Sequence, residues 1–323
     1  MMRAFSADAG RLKPLGDEAD AVARAVWIDL VSPTPAEEAE LESNLAIGIP
    51  TREEMEEIEI SSRLYYEDGA AFMTAILPAN ADGDEVNMQP VTFVLTQTHL
   101  VTVRYHEPRA FRTFPARAQK VAMGCETAEG VLIALLEAVV DRIADILERA
   151  GSDIDGISRN IFRNKSGTLT KSADLQDTIE AIGQKGDLTS NIRDSLVTLA
   201  RLAGFLGQAT LEKRWGENSR ERVKTLARDI RSLADHLGFL SQKNTFLLDA
   251  TLGMINIEQN AIIKIFSVAA VVFLPPTLIA SIYGMNFEHM PELDWPFGYP
   301  FAIGLMIASA ILPYVFFKRR GWL

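Results

Sequence analysis

The chain of 323 residues holds 43 acidic against 32 basic side chains, a net charge of −11 that argues against nucleic acid as a partner, since phosphate binding needs a basic face. Its one cysteine, Cys125, excludes an internal disulfide, and with four scattered histidines, His99, His106, His236 and His289, it offers no metal-ligand spacing. A mean hydropathy of +0.07 with 23% charged residues fits a water-exposed body with a small membrane anchor, not a polytopic membrane protein.

Met1–Gly10 lacks a basic stretch followed by an apolar run, so no cleaved signal peptide is expected and the large N-terminal part is expected in the cytoplasm. Ala25–Val31 reads as a strand. Thr34, Pro35 and Glu37 then spell a helix start, with an N-cap, a first-turn proline and a capping box. Thr51 and Glu54 repeat that grammar for an acidic helix expected to run to about Ser61, whose Glu53–Glu59 run reads as a solvated face. Arg63–Glu67 and Ala71–Leu77 flank the turn Glu67-Asp68-Gly69 as a hairpin, and Val91–Thr96 with Leu100–Tyr105 form another. Residues 1–122 are therefore expected to be a cytoplasmic α/β domain.

From Thr127 the pattern is helical, with breaks expected near Gly151, Lys165–Thr170 and Trp215–Asn218, so that 123–216 forms a helical hairpin region. Val223, Leu226, Ile230, Leu233, Leu237, Leu240, Asn244, Leu247, Thr251, Met254, Glu258 and Ala261 follow a strict 3-4 spacing, the seam of a coiled-coil-like stalk over 217–264. No breaker separates that stalk from the apolar segment after it, which predicts one helix of about 60 residues and ~90 Å.

No charge occurs between Lys264 and Glu288, and Ile265–Phe287 reaches roughly 35 Å as a helix, enough to cross a hydrocarbon core of ~30 Å. Trp295–Phe317 is likewise uncharged. The expected division is a first span at 265–287, a loop at 288–296, a second span at 297–317 and a basic tail at 318–323. Lys264, Lys318, Arg319 and Arg320 flank the spans while the loop carries Glu288, Glu292 and Asp294, so both termini are expected on the cytoplasmic side of the membrane. Trp295, Tyr299, Tyr314 and Trp322 suit either an interfacial aromatic belt or ordinary packing. Pro275-Pro276 removes two backbone donors, which reads equally as a flexible gate point or a tolerated kink.

Between the spans stand Tyr283-Gly284-Met285-Asn286 and Met290-Pro291-Glu292-Leu293. With Ile257–Pro276 before them and Phe297–Leu323 after, this hairpin resembles the CorA family of divalent-cation channels, strongly over 250–323 and more weakly upstream. The resemblance implies a funnel-shaped homopentamer in the lipid bilayer in which five first spans line a pore for Mg2+, and also for Co2+ or Ni2+. Independently, two helices from one chain cannot enclose a water-filled path, so conduction requires self-association. Stepping by 3 and 4 from Asn260 gives Ile263, Ser267, Ala270, Leu274, Thr277 and Ser281 as the expected pore face, with small or polar and apolar positions alternating in a way that permits gating by dewetting. Close helix packing is the other use of such small residues.

The resemblance assigns selectivity to Gly284, Met285 and Asn286. Neutral oxygens there can hold Mg2+ by its tightly bound waters, and Glu288, Glu292 and Asp294 would concentrate cations at the mouth. No phosphate-binding loop and no Asp, Glu or His within the spans suggests energy coupling, so passive influx is expected and no enzyme activity. The resemblance further implies a regulatory Mg2+ site between subunits, with Asp249 as its stalk ligand. Asp82, Asp84 and Glu85 are the favoured partners, although their loop also reads as a solvated turn. His289 keeps a zinc transporter of the same superfamily open, and a membrane-tethered cation sensor or scaffold is the alternative of another class.

Overall fold

The computed structural model describes residues 1–16, 20–83, 86–163, 172–212, 215–286, 290–291 and 295–321. Among them the chain first makes strands β1 (Met2–Asp8) and β2 (Arg11–Leu15), helix α1 (Ala21–Arg24), strand β3 (Trp27–Val31), and helices α2 (Pro35–Leu45), α3 (Arg52–Glu56) and α4 (Ile60–Arg63). Strands β4 (Leu64–Glu67), β5 (Ala70–Ala79), β6 (Asn87–Leu95) and β7 (Leu100–Arg104) follow, then helices α5 (Arg109–Ala118), α6 (Ala128–Arg163), α7 (Ser172–Glu212), α8 (Glu217–Tyr283) and α9 (Gly298–Arg319). The chain divides into a larger unit, Met1–Arg163 with Thr178–Leu247, and a smaller one, Asn164–Asp177 with Leu248–Leu323.

In the larger unit the strands form a sheet in the order β2-β1-β3-β7-β6-β5-β4, in which β3 and β7 run parallel and the other neighbours antiparallel. Thr34 and Thr51 cap α2 and α3 as the sequence predicts, each hydroxyl accepting from the backbone N–H of the glutamate three residues on while that carboxylate accepts from the threonine N–H. The β4–β5 hairpin turns at Asp68 and Gly69 with φ of 46° and 79°, the paired positive values of a two-residue turn matched to strand twist.

Strand alternation sends Ile28, Leu30, Val101 and Val103 to one face, packed with Leu41, Met55 and Phe72, all buried. The other face holds Trp27 stacked on Phe5 at 4.8 Å between ring centroids and edge-on to Phe114 at 5.7 Å. Into this apolar layer β3 and β7 place Asp29 and Arg104, whose side chains are 1% and 0% exposed. Arg104 Nε and Nη2 donate to the two Asp29 oxygens at 3.0 and 2.8 Å, Nη1 donates to the His106 carbonyl at 2.7 Å, and the guanidinium lies 4.9 Å from the Phe111 ring. Trp27 Nε1 donates to the Thr102 hydroxyl, which donates to Asp29 at 2.8 Å. From Trp27 through Thr102 to Asp29 and Arg104 each of these donors meets an acceptor, which is what makes the burial of the pair tolerable.

Two expectations change. The acidic helix beginning at Thr51 stops at Glu56, and a separate turn forms at Ile60–Arg63. Gly151 interrupts nothing. It lies inside α6, where a Cβ would stand 3.5 Å from Leu240, an ordinary contact. Two further elements, the β1–β2 hairpin turning at Ala9-Gly10 (φ 48° and 78°) and α5, carry no strong local signal. The expected break at Lys165–Thr170 lies outside the described residues.

Helix α8 runs from Glu217 to Tyr283 as the uninterrupted pattern predicts. Every member of the 3-4 seam from Val223 to Ala261 is buried or half-buried. Asn244, one of its polar members, donates to the Ile182 carbonyl of α7 at 3.0 Å, and a Cβ on Gly186 would come within 3.2 Å of the same amide, so glycine there gives the amide room.

Removing one partner of a buried ion pair strands the other, at about 3–5 kcal/mol, whereas replacing both with apolar groups is far milder. Asp29→Ala and Arg104→Met are each expected to lower the melting temperature of the detergent-solubilised chain more than the double variant Asp29→Leu/Arg104→Met does. Equal or additive losses would count against the pair as an organising contact.

Candidate functional site

Two helices among the described residues, α8 and α9, are long and apolar enough to cross a membrane. Their side chains are turned outward: Phe266, Phe273, Leu274 and Leu278 on α8 and Leu312 and Phe316 on α9 are more than half exposed, an arrangement suited to lipid or further chains and not to water. Beyond residue 261 the covered positions of α8 are Val268, which is buried, and Ala269, Val272, Pro275, Pro276, Ile279 and Tyr283, which are half-buried. At 100° per residue they continue the side of the helix that carries the seam.

The expected pore residues Asn260, Ile263, Ser267, Ala270, Leu274, Thr277 and Ser281 are all exposed, and the same helical arithmetic puts them on roughly the opposite side. Asn256, also exposed, precedes Asn260 by one turn on that side. The sequence reading missed it by starting at Asn260. The Thr277 hydroxyl donates to the Phe273 carbonyl at 2.8 Å, one turn back. Helix α8 passes through Pro275 and Pro276, which lack the N–H groups that would bond the carbonyls of Val271 and Val272.

The helix ends at the motif. Gly284 N–H donates to the Ala280 carbonyl at 2.9 Å and Met285 N–H to that of Ile282 at 3.3 Å, after which Asn286 leaves the helix exposed. A Cβ on Gly284 would stand 3.0 Å from the Ala280 oxygen, so glycine allows this tight ending. The C-terminal end of a helix carries partial negative charge, which favours a cation beside Gly284, Met285 and Asn286 without any carboxylate. The loop acids Glu288, Glu292 and Asp294, and His289, lie outside the described residues. Trp295 packs on Phe297 and Phe301 at 6.3 and 5.7 Å between ring centroids at the start of α9.

Asp249 is exposed on α8, roughly opposite the seam residue Leu247, as its register predicts. Asp82 is differently placed from the expectation of a carboxylate waiting for a cation. Arg109 and Arg142 donate to its two oxygens at 2.7 and 2.6 Å, and Arg149 pairs with it as well. The hydrogen bond from Arg142, reinforced by Arg149, holds its pKa down at about 2. Three guanidiniums occupy the lone pairs a metal would use and repel its charge, so Asp82 is an ion-pair acceptor in this chain. Asp84 and Glu85 lie outside the described residues, and no cluster of three or more metal-ligating side chains occurs among those described.

A family profile described as "CorA-like Mg2+ transporter protein" matches residues 22–319. The chain is 37% identical over 324 residues to a "Magnesium transport protein CorA" of Mannheimia succiniciproducens and 38% identical over 324 residues to one of Escherichia coli K12, each match covering 100% of both chains. Its fold matches the complete CorA magnesium transporter structure of Methanocaldococcus jannaschii with a TM-score of 0.79 at 19% identity, covering 100% of this chain and 99% of that one.

The lowered pKa of Asp82 fixes a sign. The stabilisation it gives is complete above the ordinary carboxylate range near pH ~4 and is lost as pH falls toward the folded-state value of about 2. Exchange protection of the Asn80–Gly83 amides, corrected for intrinsic rate, is expected to be flat from pH 7 to about pH 4.5 and to drop only below that. In Asp82→Asn it should be reduced across the whole range. A wild-type loss beginning at pH 6 would contradict the arginine latch.

Proposed function

This chain belongs to the CorA-like Mg2+ transporter family, and from that premise we propose that it forms a homopentameric, passive pathway for hydrated Mg2+ across a bacterial inner membrane, with both termini cytoplasmic. The observation that carries the reading is the division of α8 into two sides: a half-buried side that continues the stalk seam, and an exposed side of small, polar and apolar residues that ends at Gly284-Met285-Asn286. Five copies with that exposed side turned inward would enclose a path wet at Asn256, Asn260, Ser267, Thr277 and Ser281 and dry at Ile263 and Leu274.

The ion dictates the chemistry at the mouth. Mg2+ holds six oxygens in a tight octahedron and dehydrates reluctantly. A ring of Asn286 side-chain carbonyls, with backbone carbonyls at the end of α8, accepts hydrogen bonds from the ion's waters and leaves the inner shell intact. Neutral acceptors bind less tightly than a ring of carboxylates, so the ion can leave again. A membrane potential of about 100 mV favours inward movement of a divalent ion by roughly 4.6 kcal/mol, which suffices without a coupled reaction. Co2+ and Ni2+, divalent ions that also travel hydrated, would follow the same path.

Regulation is assigned to Asp249. Exposed carboxylates at one level of adjoining stalks repel one another, and bound Mg2+ would relieve the repulsion and favour a closed arrangement by differential binding. Asp82 is not assigned to this site, because its arginines already neutralise it.

Uptake of 28Mg into liposomes holding only the purified protein, driven by a potassium diffusion potential, tests the reading. Asn286→Ala is expected to reduce uptake at least about tenfold with pentamer assembly unchanged, since it removes water-binding acceptors and no packed contact. Wild-type rates from this variant would remove Asn286 from the filter. Leu274→Asn should raise leak at millimolar Mg2+ by wetting an apolar ring, and an unaltered leak would move the constriction elsewhere. In Asp249→Ala, inhibition by Mg2+ on the stalk side should weaken. Inhibition identical to wild type would exclude Asp249 as the sensor.

A further inference from the structure

The surroundings of Asp82 hold more positive charge than Asp82 can use. Arg109 and Arg112 stand on α5, and Arg142 and Arg149 on α6. Arg109, Arg142 and Arg149 converge on the one carboxylate, and among the described residues Arg112 pairs with no acid. Asp145 lies 3.9 Å from Arg142. Four guanidiniums thus stand with three carboxylates, Asp82, Asp145 and Glu107, of which Glu107 is paired with buried Arg104. A carboxylate offers two oxygens where three guanidiniums offer fifteen N–H donors, so most donors point at solvent. Arg109 and Arg149 remain 49% and 47% exposed.

Asp82 also forms the shared wall of two clefts. The smaller, about 60 Å3, is lined by Arg109, Arg112 and Arg142 together with Glu107. The larger, about 340 Å3, begins at Arg149 and is walled by Ile146, Ala150 and Leu188 with the amides of Gln184 and Asn191. Lys185, paired with Asp153 at 2.6 Å, and Asp187 complete its charged lining. Planar guanidiniums match oxyanions, and their spread from one cleft to the next matches several linked oxyanions better than a single one. The larger cleft is within the size range of small-molecule sites, and its lining is mainly polar, with Ile146, Ala150 and Leu188 as the apolar part that a base could meet and Ser152, Gln184 and Asn191 as hydrogen-bonding groups for a sugar.

We propose that this arginine cluster binds the phosphate chain of a nucleoside polyphosphate in its Mg2+-free form, with Asp82 as the internal anion that the phosphates displace. Mg2+ bound to a nucleotide occupies phosphate oxygens and cancels two negative charges, so the complexed form is the poorer ligand. Occupancy therefore rises as free Mg2+ falls, the direction a supply route for Mg2+ would use. That use rests on the proposed function, but the binding does not, since it is measured without transport.

The test is calorimetric titration of the full detergent-solubilised chain in EDTA with ATP, then with ATP in excess Mg2+, with adenosine and with short-chain phosphatidylglycerol. ATP is expected to bind, more weakly as salt is raised, with Mg2+ or Arg109→Ala/Arg149→Ala each weakening it about tenfold or more and adenosine not binding. Asp82→Asn should bind ATP more tightly than wild type, a gain that a misfolded variant cannot produce. Adenosine binding as well as ATP, equal affinity with and without Mg2+, binding by the lipid headgroup alone, or weaker binding by Asp82→Asn would each overturn the proposal.

Discussion

Hydrocarbon offers no hydrogen-bond partner and no solvation for charge, and that constraint organises this chain. It requires that backbone polar groups inside the bilayer be satisfied within the segment, so the two spans are helices. It excludes charge from 265–287 and 295–317, and it explains why α8 and α9 carry large apolar side chains outward. It also makes the small and polar residues along one side of α8 informative. Ser267, Thr277 and Ser281 would be poor choices facing lipid, and two helices cannot wet them without further copies of the chain.

Helix α8 answers different demands on different sides. Its seam, Val223 to Ala261, is buried by packing in the stalk, and the same side continues through Val268, Val272 and Ile279 among the apolar residues of the span. The opposite side carries Asp249, Asn256 and Asn260 and then the proposed pore residues. In the larger unit, Asp29 and Arg104 link the parallel strands β3 and β7 by a buried, hydrogen-bonded ion pair.

Much of this was legible because the signals are local. The capping boxes at Thr34 and Thr51 need four residues, the Asp68-Gly69 turn two, and the seam and spans are long periodic runs that no isolated residue can disturb. The illegible parts depend on distant partners or contradict a propensity. Helix α5 carries Pro115 in its interior and is held by buried Phe111 and Phe114. Gly151 continues a helix that packing sustains. Asp82 reads as one acid in an acidic loop, and its fate is decided by arginines 27, 60 and 67 positions away. At the end of α8 the Gly284-Met285-Asn286 motif was legible as a pattern, whereas the tight helix ending at Gly284 and the level at which the polar side of α8 begins were not, since Asn256 becomes significant only once exposure along the helix is known.

The central claim is that the side of α8 bearing Ser267, Ala270, Thr277 and Ser281 faces water. A cysteine scan from 256 to 284 tests it most directly in a background where the one native cysteine, buried Cys125, is replaced by serine. With the protein in liposomes, a membrane-impermeant thiol reagent should modify positions 260, 267, 270, 277 and 281 and block Mg2+ uptake, while cysteines at 268, 272 and 279 should remain unmodified. Labelling at 268, 272 and 279 with protection at 267, 270 and 277 would contradict the account.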